Sequence, residues 1–238
     1  MSLEWHNAWQ ALTHHPLFGI GITLGAYQLA MAAYERTRWV FLQPVLVSML
    51  TVIGILLICG LGFTEYKRSV EALTLLLGPA TVALAVPLFL NLRRIRQLFW
   101  PILITLIVAG TLATALGAGL AWLFGAEQLM LKSMAPKSVT SPIAMLVADQ
   151  IGGIAALAAV FVMITGVIGA IVGPSVLRLC RVHHPAAVGL ALGISAHAVG
   201  TARALQESDE CGAFAALAMS LMGVITAVLL PLVFVLLL

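Results

Sequence analysis

Three ionisable residues interrupt stretches that are otherwise apolar: Lys137, Asp149 and Arg203. Lys137 stands in Pro136-Lys-Ser-Val-Thr-Ser-Pro142, where two prolines bracket Ser138, Thr140 and Ser141. Proline removes a helical donor and displaces a carbonyl, so main-chain groups are freed here. A half-helix starting near Pro142 would aim its free N–H groups and positive dipole end back at this loop, an arrangement that suits an anion. The competing reading of Lys137 is a side chain snorkelling from an interfacial loop.

Arg203 ends Ser195-Ala-His-Ala-Val-Gly-Thr-Ala-Arg203, in which His197, Thr201 and Arg203 alternate with small residues that allow close helix approach. A fixed guanidinium can grip a carboxylate through two parallel bonds. If this segment meets the Lys137 loop, the pair makes a cationic, hydroxyl-lined pocket for a small organic acid. The alternative is that Arg203 ends its helix at the interface beside Glu207 and Asp209. His197 reads either as a proton carrier or as a neutral hydrogen bonder between helices. Asp149 is a second proton-coupling candidate; it could pair with Lys137 or Arg203, or simply cap a helix before Gly152-Gly153. A third segment, Leu77-Gly78-Pro79 to Pro87, offers one hydroxyl, Thr81, and no charge.

No catalytic residue is expected. GxSxG and HExxH are absent, and Ser195 and His197, two apart on a helix, point to different sides, which excludes a triad with Asp209. His6, His14, His15, His183 and His184 lie near segment ends as interfacial residues. Neither they nor Cys59, Cys180 and Cys211 show metal-ligand spacing, so no metal, cofactor or disulfide framework is expected.

The elements that position these residues belong to a membrane. The 238 residues are 62% hydrophobic and 9% charged, against roughly 45–50% and 25% for soluble domains, which excludes a soluble fold. The net charge of +3 is spread over short loops, so nucleic acid is not an expected partner. The first fifteen residues carry no Lys or Arg, and insertion without cleavage is expected. The chain divides into about eight hydrophobic segments of an all-α polytopic membrane protein. Windows at about 17–34, 43–62, 100–124, 153–175 and 212–238 are uninterrupted and read as plain crossings. Windows at 71–91, 133–152 and 186–207 are broken by Gly78, Pro79, Pro136, Pro142 and Gly200, and read as broken or re-entrant helices. Pro16 and Pro136 are 120 positions apart, as are Thr81 and Thr201. The single membrane domain is therefore expected to hold two related halves, about 16–125 and 133–238, as inverted repeats. Lys and Arg outside the broken windows divide evenly between the faces, so loop charge assigns no orientation.

Pro79-Ala-Thr-Val-Ala-Leu-Ala-Val-Pro-Leu88, Pro136-Lys-Ser-Val-Thr-Ser-Pro-Ile-Ala-Met145 and Ala196-His-Ala-Val-Gly-Thr-Ala-Arg203 resemble the LrgB/CidB family in order and spacing, over nearly the whole chain after about residue 40. The resemblance implies a bacterial inner-membrane protein, commonly with a smaller LrgA/CidA-type membrane partner. It implies one of two activities: a holin/antiholin-like influence on murein hydrolase release and autolysis, or transport of small carboxylates of the pyruvate, glycolate and glycerate type. The residues favour transport, because a lesion-forming helix bundle has no need of three broken segments carrying Lys137, His197 and Arg203. Carried over onto the matching motifs, the substrate is expected against Lys137, Ser138, Thr140, Ser141, His197, Thr201 and Arg203, with Thr81 facing them. A homo-oligomer in the bilayer is expected.

Overall fold

Long apolar runs leave the backbone no partner but itself, and the chain answers with helices throughout. A computed structural model describes residues 9, 13, 15–37, 39, 42–83 and 85–237; the side chains at 16, 77, 78, 80, 81, 87, 88 and 237 fall outside that description. His6, His14 and Arg38 also lie outside it. No strand occurs among the described residues. Five helices are long and apolar enough to cross a membrane, or six if one bent pair counts as a span. This is fewer than the eight segments expected, because several windows fold into short or reversing pieces.

Two compact units divide the chain at 83/84. The first holds α1 (Pro16–Thr37), α2 (Pro44–Cys59), α3 (Phe63–Ser69) and α4 (Glu71–Ala83). α2 starts at Pro44, where Gln43 Oε1 accepts from Leu46 N–H at 2.8 Å, and ends at Gly60 in the left-handed region. At sixteen residues it is short for a crossing, and the chain bends by 117° into α3. Window 43–62 is therefore not the plain crossing expected from its composition. α3 is held to α1 by a 2.9 Å hydrogen bond between Tyr66 and Thr23.

The second unit begins with α5 (Ala85–Leu90) and α6 (Leu92–Gln97), and its spans are α7 (Phe99–Leu123), α10 (Ala155–Leu179) and α12 (Asp209–Leu237). Between them lie α8 (Gln128–Met134), α9 (Ser141–Gln150) and α11 (Pro185–Glu207). α7 leaves Ile104, Val108, Leu112, Leu116 and Leu120 exposed along one i, i+4 stripe, a lipid-facing surface that water would penalise. The core is the first half of α12, where Cys211, Phe214, Ala215, Ala218, Met219 and Met222 are buried.

Two re-entrant hairpins enclose that core. In the first, the chain passes inward from the end of α8 through 135–140, and α9 returns. Ile154 N–H donates to Ser133 Oγ at 2.8 Å, and Gly153 lies so close to the Ser133 backbone that a Cβ there would sit 2.9 Å from Ser133 N. The end of α8, next to the loop, is thus tied to the junction of α9 and α10. Gly152, at φ 77°, makes the turn that allows it.

The second hairpin is α11. Its first half runs alongside α12 in the same direction, Gly189 against Cys211 and Phe214, then Gly193 against Ala215 and Ala218. Its second half runs the opposite way, Thr201 touching Met219 and Leu205 packing on Gly212. The reversal occurs at His197 (φ 42°, ψ −125°), and it folds Gly200 back onto the Leu192 carbonyl. Window 186–207, expected to be broken or re-entrant, reverses at His197 and does not run straight through.

α10 joins the foot of the first hairpin to the foot of the second. Its 25 residues span about 37 Å at 1.5 Å per residue, so the hairpins enter from opposite ends of the unit.

Candidate functional site

The first hairpin reaches the middle turns of α7 and α12, and the second reaches those of α12 and α10. Thr201 Oγ1 lies 3.8 Å from Met219 Sδ, Met222 covers Gly110 of α7, Ile143 of α9 reaches Gly223, and Lys137 bonds α7 at Ala113. Both hairpins therefore contact the Met219–Gly223 turn of α12, at residues four apart along one face.

The first tip is built by its prolines. Pro136 and Pro142 break the helical ladder, and Ala135, Pro136, Ser138 and Val139 are buried between. Lys137 extends from this loop to α7, where Nζ donates to the Ala113 carbonyl at 2.9 Å. It forms no ion pair among the described residues. An ammonium carries three donors, so two remain for a ligand. Thr140 and Ser141 are half-buried at the start of α9, whose free N–H groups open toward the loop.

The second tip is a single residue. His197 is buried, and its Nε2 lies 3.0 Å from the Val162 carbonyl of α10. A carbonyl only accepts, so Nε2 carries the proton and Nδ1 is left as an acceptor. Thr201 is also buried, one turn on, and its hydroxyl donates to the His197 carbonyl at 2.9 Å, satisfying a group the reversal freed. A cation with open donors and an imidazole with an open acceptor are complementary to a small organic acid.

Other expected site residues lie elsewhere. Arg203 sits toward the foot of its hairpin and bonds Glu207 and Gln206 of its own helix, the interfacial arrangement that was the alternative to carboxylate binding. Asp149 is exposed near the end of α9 and forms no ion pair with Lys137 or Arg203 among the described residues. Gly78, Pro79 and Thr81 belong to α4 of the first unit, and the Thr81 side chain lies outside the described residues.

A cavity of about 590 Å³ opens between α7, α8 and α12, lined mainly by Leu, Ile and Val with Thr111, Thr114, Thr226, Gln128 and Lys132. Neither Lys137 nor His197 lines it. Its walls are those of a lipid-facing groove, and the polar chemistry lies at the tips.

Sequence reasoning missed Ala113, Gly117, Val162 and Gly166, which receive the two tip side chains. α7 carries Gly110, Gly117 and Gly119 and α10 carries Gly166, Gly169 and Gly173, so residue type alone does not mark which glycine receives a side chain.

The LrgB-like family model matches residues 23–236. Proteins named antiholin-like protein LrgB from Bacillus mycoides (strain KBAB4) and Bacillus cereus (strain B4264) are each 32% identical over 222 residues, covering 93% of this chain and 96% of theirs. No solved structure matches at a significant level. With the family's motifs on its two hairpin tips and the match running through both units, this multi-pass membrane chain belongs to the LrgB-like family.

Proposed function

We propose that this protein carries small carboxylates across the bacterial inner membrane through the two hairpin tips. The observation that carries this reading is Lys137: an ammonium at the middle of a spanning helix, bonded only to the Ala113 carbonyl and without a countercharge among the described residues. Such a group is costly in a membrane and is kept where it binds something. The substrate carboxylate would take the two open donors of Lys137, with Ser138, Thr140 and Ser141 beside it. His197 Nδ1 would accept a substrate hydroxyl or a co-transported proton, with Thr201 holding the backbone at the turn. Entry of the hairpins from opposite ends gives each face of the membrane its own access to the tips.

The comparisons favour a second reading, since the curated relatives are named antiholin-like. On that reading the chain modulates envelope lysis alongside an LrgA/CidA-type membrane partner, as the family resemblance implies, and any anion movement is secondary.

Within the second unit the arginines gather at one end. Arg93, Arg94 and Arg96 lie at the same end as Arg178 and Arg181, because Arg94 bonds His184 at 3.2 Å and Glu210 at 3.1 Å. The opposite end of this unit carries Lys132.

Uptake of labelled pyruvate, glycolate and glycerate into proteoliposomes tests the proposal. Saturable uptake that is lost in Lys137→Met is the expected result. No uptake of any of these acids by folded protein, alone or with the small partner, would leave the antiholin-like reading standing by itself.

A further inference from the structure

The two tip side chains are received in the same way. Lys137 Nζ bonds the carbonyl of Ala113, and a Cβ built on Gly117 would lie 2.6 Å from Lys137 Cε and 2.8 Å from Nζ. His197 Nε2 bonds the carbonyl of Val162, and a Cβ built on Gly166 would lie 2.6 Å from His197 Cε1 and 2.8 Å from Nε2. In each case the glycine stands four residues after the carbonyl on a spanning helix. Within a helix the carbonyl of residue i already accepts from the N–H of residue i+4, and its second lone pair is reached only past the side chain at that position. A glycine there uncovers the lone pair and leaves room for the incoming group.

From this repeated geometry we infer that Gly117 and Gly166 are positioning residues: each opens a carbonyl socket, on α7 and α10 respectively, that fixes the tip side chain so that its remaining polar atoms face the substrate. This rests on the transport reading for its consequence, but not for its geometry. Lys137, held through one donor, presents the other two in a fixed direction. His197, held through Nε2–H, presents Nδ1 as an acceptor. A methyl group at Gly117 displaces only the far end of the lysine side chain, whereas at Gly166 it meets the His197 ring and lies 3.1 Å from Val199 Cγ2.

The first arm of the test is spectroscopic. The chain has three lysines, Lys67, Lys132 and Lys137, so a ¹⁵Nζ-lysine spectrum of the full-length protein in nanodiscs is simple, and the Lys137 signal is the one absent from Lys137→Met. Gly117→Ala is expected to shift that signal. Gly119→Ala, on the same helix with open space around its Cβ position, is expected to leave it unchanged. For the second socket, ¹⁵N-histidine labelling reads the His197 Nε2 signal in Gly166→Ala. A Lys137 signal unmoved by Gly117→Ala, or a His197 signal unmoved by Gly166→Ala, would overturn the corresponding socket.

The second arm is uptake. Gly117→Ala is expected to raise KM about tenfold, the loss of one well-placed polar contact, with a smaller change in kcat, while Gly119→Ala keeps both. A KM unchanged in Gly117→Ala would refute the positioning role even with a shifted signal. Absence of uptake from the unsubstituted protein would count against the transport reading alone, and the spectra would still decide the sockets.

Discussion

The two hairpins of the second unit reverse the chain at similar depth by opposite means. The Lys137 hairpin turns through a six-residue loop, 135–140, that holds Pro136 and is followed by Pro142, with the end of α8 tied by Ser133 to Ile154. The His197 hairpin turns on one residue held at φ 42°, and its two halves press together through Gly200 and the Leu192 carbonyl. In the first the cost of reversal is spread over a loop whose prolines cannot be helical donors. In the second it is concentrated as backbone strain on a side chain with a Cβ, in a region that suits glycine. The surroundings must over-determine such a residue, and here they do: α10 holds the imidazole, and the tight face of Gly189 and Gly193 against α12 fixes the helix leading to it. A strained histidine where glycine would be easier fits the role proposed for its imidazole.

The contrast breaks most visibly in uptake. Lys137→Gln should lower carboxylate uptake about a hundredfold, an effect of about 2.7 kcal/mol on the transport barrier, while the melting temperature stays the same or rises, because a buried cation without a countercharge is removed. Unchanged uptake would remove the first tip from the mechanism.

Backbone strain gives the next largest effect. His197→Ala and His197→Gly lose the same imidazole, so their difference isolates the strain. His197→Gly should be more stable than His197→Ala by about 1 kcal/mol, roughly 2–4 °C in Tm. At position 137, which lacks positive φ, the order should reverse, with glycine less stable than alanine. The same order at both positions would mean that the two tips do not differ in the way described.

These differences set what could be read in the sequence. The first hairpin announced itself through Pro136, Pro142 and a polar loop inside an apolar window. The second carried only Gly193, Gly200 and a lone histidine, enough to mark a break but not a full reversal, since reversal depends on how closely α10 and α12 pack against it. Arg203 illustrates a different limit. Its type and spacing fitted carboxylate binding, yet the equally local pairing with Glu207 forms, and residue type could not choose between a partner one turn away and a ligand. The bend between α2 and α3 was hidden because Gly60 and Gly62 sit among apolar residues that extend the hydropathy window past the end of the helix. Gly117 and Gly166 lie in windows read as plain spans, where a socket is defined only by the side chain that enters it.

A smaller effect concerns the tie between the end of α8 and the start of α10. Ser133→Ala removes the acceptor of Ile154 N–H, at a cost of about 1 kcal/mol, and should speed hydrogen exchange at Ile154 with little change along α11. Equal acceleration in both hairpins would show that they open as one unit.

The smallest effect is expected at Arg203, and it tests the comparison most sharply. Arg203 sits six residues beyond the tip and bonds Glu207 one turn away, on a carboxylate whose side chain is 48% exposed. An i, i+4 pair of this kind contributes about 0.3–0.5 kcal/mol. Arg203→Ala should therefore change uptake less than threefold and Tm by no more than about 2 °C. If the guanidinium instead bound the substrate, its removal would lower uptake at least as much as Lys137→Gln, and Arg203→Lys would fail to restore it, because a lysine cannot reproduce the two parallel bonds. That outcome would require the second half of α11 to move its foot toward the first tip during transport. The His197 hairpin would then be the moving element and the proline-bounded loop the fixed one.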